Sequence, residues 1–184
     1  MSTTFVCIAS GPSLNARDCE LVRAAGLPTT AVNNSWRLAQ WCDHLYAGDL
    51  AWWDANIGQV PEGPKRWTCT RQASAKYGLN LHTAYGEYNS GLRAIQLAFE
   101  LGAERVLLLG YDCTVANGTH WHGDHEGTKN PTEQLCKKWN CQHSSLPQRG
   151  QVVNCSRETK LTAYRLGYLE KELQKVVDTC SASD

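Results

Sequence analysis

Thr3-Thr4-Phe5-Val6-Cys7-Ile8-Ala9-Ser10-Gly11-Pro12-Ser13-Leu14 opens the chain with a β-branched, apolar run that glycine and proline cut short. The run is too short for a helix and an amphipathic stretch begins at Asn15, so the order predicted is buried strand, tight turn, helix. Past the carboxyl end of a buried parallel strand, Gly11 lets the main chain approach a ligand closely. Ser13 or Asn15 can then cap the helix and leave N–H groups facing an anion. Gly11, Pro12 and Ser13 are therefore candidates to hold one phosphate or carboxylate. The plainer alternative is a simple turn with Asn15 as N-cap.

Moving outward, residues 15–25 read as a helix ended by Gly26, 29–32 as a second strand, 35–41 as a short helix and 44–47 as a third strand. A polar Gly/Pro stretch over 58–64 leads to a short strand at 66–69, and 71–88 reads as an irregular, mobile lid. Asn89-Ser90-Gly91 starts a helix carrying Leu92, Ile95, Leu97, Ala98 and Leu101, which Gly102 closes, and Val106 to Leu109 is the most apolar strand. A helix over 132–143, a short strand over 151–154 and an amphipathic terminal helix over 160–177 complete the chain. The β-α-β order predicts an α/β fold with a mostly parallel, doubly wound sheet. With 184 residues, 42% apolar and 20% charged, a single domain over 1–184 with a full core is expected.

Eighteen basic residues balance eighteen acidic ones, which leaves no whole-chain electrostatic footprint for duplex nucleic acid or an anionic membrane. No apolar run reaches the roughly 18 residues of a membrane span. Nine cysteines, an odd number without CxxC pairs, and no secretory leader at the start predict a reduced, cytoplasmic setting. Cys7 reads as a small core residue. Cys136, Cys141 and His143 form a CxxxxCxH spacing that matches no standard structural zinc site.

In a doubly wound sheet, ligands gather beyond the carboxyl ends of the strands. Here those ends carry Gly11 and Ser13, Asn33 and Asn34, Asp49, Asp112, and Asn154. Asn33-Asn34 suits a base edge or ribose hydroxyls, or else forms an Asx turn. Asn89, Ser90 and Gly91 offer a second cluster of N–H donors, or an ordinary N-cap. Residues 112–130 turn to His, Asp, Gly, Thr and Asn, too polar for a core and too long for an ordinary connection, which marks a functional loop. Within it His120-Trp121-His122-Gly123-Asp124-His125 fits the HxHxDH pattern of metallo-β-lactamase-like hydrolases. Those enzymes need further ligands and a two-sheet sandwich that this chain does not supply. On another fold, His120, His122, Asp124 and His125 can act as general base or ligand groups, or coordinate a divalent ion. Asp49 and Asp112 are alternative carboxylate ligands for Mg²⁺. Trp36 and Trp41 read as packing, whereas Trp52 and Trp53 cannot both face inward on one helix, so one of them faces ligand or partner.

Taken together, the Gly11-Pro12-Ser13-Leu14 turn, Val32-Asn33-Asn34, Asn89-Ser90-Gly91, Leu109-Gly110-Tyr111-Asp112 and Val152-Val153-Asn154-Cys155-Ser156 resemble the flagellin-glycosylation accessory factors and the related archaeal hydroxymethylpterin pyrophosphokinases. The Gly-Pro-Ser-Leu turn is also similar to that of bacterial CMP-sialic-acid-dependent sialyltransferases, and small phage-encoded proteins look alike. The resemblance covers about residues 4–156 through short motifs. It implies a Rossmann-like domain that binds a nucleotide or nucleotide-sugar and transfers a glycosyl or diphosphate group, with Gly11 and Ser13 on phosphate, Asn33 and Asn34 on sugar or base, and Asn89, Ser90 and Gly91 on phosphates. The sialyltransferases' histidine segment does not align here, and the accessory factors' extra domains are missing. The resulting expectation is a transferase with Mg²⁺ or another divalent metal as cofactor, acting alone or as a homo-oligomer. Its rivals are a binding protein that sequesters a nucleotide and a metal-dependent hydrolase.

Overall fold

Eight strands in the order β5-β4-β3-β2-β1-β6-β7-β8 form one sheet, and every pairing in it is parallel. The structure is a computed structural model that describes residues 3–83, 86–124 and 130–181. Its strands are β1 (Thr4–Ile8), β2 (Thr29–Val32), β3 (His44–Tyr46), β4 (Lys65–Thr68), β5 (Asn80–Leu81), β6 (Arg105–Leu109), β7 (Val152–Asn154) and β8 (Arg165–Leu166). Between them lie α1 (Ala16–Ala25), α2 (Leu50–Asn56), α3 (Arg71–Tyr77), α4 (Ser90–Glu100) and α5 (Glu133–Ser144), and α6 (Leu169–Ser181) follows β8. This is the α/β, Rossmann-like doubly wound architecture that the strand-turn-helix opening implied, with a sheet wholly rather than mostly parallel.

Alternation along the central strands splits the core in two. Val6 and Ile8 of β1 and Leu107 and Leu109 of β6 face one cluster, with Cys19 and Val22 of α1, Trp53 of α2, Ala73 of α3, and Leu169 and Leu173 of α6. Phe5 and Cys7 of β1 and Val106 and Leu108 of β6 face the other, where α4 contributes Leu92, Ile95, Leu97 and Ala98. Strands buried on both faces are what covering helices demand of a parallel sheet. The Cys7 thiol sits wholly inside, and burial pushes it up to about 12, so it packs as a small hydrophobe.

Three sequence readings are corrected. Residues 71–81 are no irregular lid: α3 buries Ala73 and ends at Gly78 in the left-handed region, and β5 pairs with β4. The terminal helix starts at Leu169 rather than at residue 160. Ahead of it, Asn140 holds the backbone of 160 and 162, Tyr164 is drawn into the core, and β8 adds to the sheet beside β7. The segment after β2 is a five-residue 3₁₀ turn, Asn33–Arg37, entered through Asn33 at φ +49, rather than a helix over 35–41. Trp36 and Trp41 pack against the core as expected.

Candidate functional site

β1 and β6 lie side by side, and the chain leaves β1 toward one edge of the sheet and β6 toward the other. At that switch point, beyond the carboxyl ends, opens a cavity of about 830 Å³. It is lined by Gly11, Pro12, Asn33, Asp49, Asn89, Ser90, Gly91, Asp112 and His120, which belong to six separate segments of the sequence. Ser13, Asn34, His122, Asp124 and Asn154 lie outside its lining. His125 falls outside the described residues.

The glycine turn is shaped around a carboxylate of the chain itself. Ser13 donates its backbone N–H and its hydroxyl to the two oxygens of Asp112, at 2.7 and 2.6 Å. A side chain at Gly11 would run into that carboxyl group and into the Gly110 carbonyl, each 2.5 Å from where its Cβ would stand. Gly110 has φ +68, and a Cβ there would collide with the Ala9 carbonyl. Asp112 is 2% exposed, and burial raises its pKa while the two bonds from Ser13 pull it back.

At the next helix start, Asn89 accepts from the Leu92 N–H at 2.8 Å, an N-cap on α4, while the Ser90 hydroxyl accepts from the Gly48 N–H at 3.0 Å. The Arg93 N–H goes to the Asn89 carbonyl, so the helix-start N–H groups left without an intrahelical partner are those of Ser90 and Gly91, two residues that line the cavity. Two cations border the same space. The Arg93 guanidinium donates to the carbonyls of Tyr88 and Gly86, and Lys138 approaches from α5. Facing them are the carboxylates of Asp49, Glu87 and Asp112.

The loop after β6 closes another side. Trp121 donates its backbone N–H to the Ser10 carbonyl at 3.1 Å, which docks the loop on the end of β1. His120 reaches the cavity, and His122 stacks on it with ring centres 5.1 Å apart and planes 8° from parallel. His122 in turn meets the Asn34 amide at 3.3 Å, and the Asn34 carbonyl accepts from the Trp52 indole at 3.0 Å. Asp124 is held by the Thr119 hydroxyl. Asn154 is a brace too: its carbonyl accepts from the Ser156 N–H and its amide donates to the Thr159 hydroxyl.

Sequence reading passed over Arg93 and the whole inward face of α5. Leu135, Lys138, Trp139 and Gln142 all line the cavity, at the i, i+3, i+4, i+7 spacing of one helix face. That spacing was readable, but its mixed polarity hid it. Of the tryptophan pair, Trp53 is wholly buried and Trp52 lines the cavity. The zinc spacing on α5 does not converge: Cys136 is buried, Cys141 is exposed and His143 bonds the Tyr164 hydroxyl at 2.7 Å. Among the described residues no three His, Cys, Asp or Glu side chains group as metal ligands, and no helix is long and apolar enough to cross a membrane.

Comparison with known proteins gave no match to a family model, a curated protein or a solved structure. What fold and site define is a Rossmann-like α/β chain with a large cavity of mixed polar and apolar lining at its switch point.

Proposed function

We propose that this chain is a transferase that binds a nucleotide or nucleotide-sugar and moves a glycosyl or diphosphate group. The observation that carries this reading is the convergence of the α4 start, two cations and His120 on one cavity at the β1/β6 switch point. A diphosphate set at Ser90 and Gly91 meets first-turn N–H groups and the positive end of an eleven-residue helix, with Arg93 and Lys138 beside it. Asn33, on the same lining, takes the sugar or base in this reading. His120 takes the proton from an acceptor hydroxyl as its oxygen bonds to the transferred glycosyl carbon or phosphorus and the bond from that atom to the nucleotide phosphate oxygen breaks, and the α4 start stabilises the charge that develops on the phosphates. His122, stacked behind His120, orients it. Mg²⁺ is the expected partner of the diphosphate, and Asp49 and Asp112, both on the lining, are the carboxylates that would hold it. The fragmentary resemblance to glycosylation factors and pyrophosphokinases points the same way.

Thermal shift against nucleoside mono-, di- and triphosphates and nucleotide-sugars, with and without Mg²⁺, tests the reading. A ligand at a hundred times its Kd adds about 2.7 kcal/mol, which raises Tm by roughly 5–10 °C for a chain of this size. Lys138→Ala reduces that shift. No shift with any nucleotide overturns the proposal. His120→Gln then separates enzyme from sequestering protein: binding is retained while turnover is lost.

A further inference from the structure

A chain of contacts runs across the mouth of the cavity from α2 to the histidine loop. Trp53 is wholly buried, its indole donating to the Ala47 carbonyl at 2.9 Å, and Trp52 stands edge-on against it with ring centres 5.0 Å apart. That backing fixes the Trp52 ring where it borders the cavity. The Trp52 indole N–H is spent on the Asn34 carbonyl, so what Trp52 offers a ligand is its aromatic surface. With the Asn34 carbonyl so committed, its NH₂ group points at Nε2 of His122, 3.3 Å away. A nitrogen facing an N–H donor must accept, which places the His122 proton on Nδ1. His122 then lies flat on His120.

We infer that Trp52 is the stacking surface for a planar heteroaromatic ring of the ligand, and that Asn34 is a positioning residue that ties this surface through His122 to His120. The inference rests on the nucleotide reading and adds the part of the ligand that confers selectivity. Asn34 thus acts without touching the ligand, because both ends of its amide are committed to protein. A ring seated on Trp52 holds the indole, the indole holds the amide, and the amide holds the tautomer and the plane of the stacked imidazoles.

The experiment compares ADP, GDP, CDP and UDP with inorganic pyrophosphate on the full chain, by calorimetric titration and by NMR of protein labelled in its histidines. At least one nucleoside diphosphate is expected to bind about tenfold tighter than pyrophosphate, the order of one base–indole stack. Trp52→Ala brings the two to parity, Trp52→Phe keeps part of the difference, and neither changes pyrophosphate affinity. Asn34→Ala shifts the His120 and His122 ring signals in the ligand-free protein and weakens the nucleoside diphosphate, again sparing pyrophosphate. Equal binding of nucleotides and pyrophosphate by the unaltered protein overturns the stacking surface while the phosphate reading stands. Histidine signals unmoved by Asn34→Ala overturn the coupling. Binding of neither probe overturns both the inference and the reading beneath it.

Discussion

Two pairs of histidines divide the molecule. His82 and His143 are sealed in the fold, each with a tyrosine: Tyr46 meets Nδ1 of His82 at 3.0 Å, with Glu100 3.1 Å from the other nitrogen, and Tyr164 meets Nδ1 of His143 at 2.7 Å. His120 and His122 stand in the loop after β6, stacked on each other at the cavity mouth and tied to Asn34. Each buried imidazole is taken up with a buried phenol, and burial holds His143 below its ordinary range. The loop imidazoles stack on each other instead, with His120 on the cavity lining and His122 against the Asn34 amide. The residue type is the same, and the neighbours decide which role it plays.

The sharpest way to break that contrast is acid. Burial drops His143 to about 4, below the ordinary value near 6.5 that it regains on unfolding. The unfolded chain therefore binds the proton first as pH falls, and stability is lost between roughly pH 6.5 and 4, by about 3 kcal/mol in all. Urea titrations from pH 7.5 to 4 should show this slope in the native chain and a flatter one in His143→Gln. Next in size, His82→Ala leaves a cavity and removes one of the partners of the Tyr46 hydroxyl, at a cost of about 2 kcal/mol of unfolding free energy in urea. Smallest is His122→Ala, which should change stability by less than about 1 kcal/mol while abolishing transfer or severely slowing it. A His122→Ala loss as large as that of His82→Ala would make the loop part of the core and erase the distinction.

The same contrast governs what could be read before the fold was seen. β1, β2, β6 and α4 carry their own signals: β-branched runs, an N-cap at Asn89 and a period of 3.6. β5 and β8 have two residues each and no period of their own, existing only because β4 and β7 offer an edge. The stretch over 160–177 reads as one helix because Tyr164, Leu166, Leu169, Leu173 and Val176 are apolar at near-helical spacing, yet Leu166 lies exposed on β8 and Gly167 is pressed against Val153 and Glu172 before α6 begins. At the site, strand-end logic named Gly11, Asn33, Asp49 and Asp112, which line one cavity, together with Ser13, Asn34 and Asn154, which lie outside its lining. It could not distinguish an asparagine facing the cavity, Asn33, from one occupied as a brace, Asn34 or Asn154, because an amide's role depends on partners far along the chain.

One feature of the turn at β1 reaches further. Ser13 gives its amide and hydroxyl to Asp112, so the glycine turn already holds a carboxyl group of the chain itself, covalently tethered. In the language of competition, that carboxylate is an intramolecular inhibitor at an effective concentration on the order of millimolar or above. A diffusing phosphate wins those two donors only by evicting it, and its apparent affinity at the turn is divided by that advantage. The turn after β1 is thereby reserved for holding the end of β6 in place, and the proposed phosphate site belongs at the start of α4 instead.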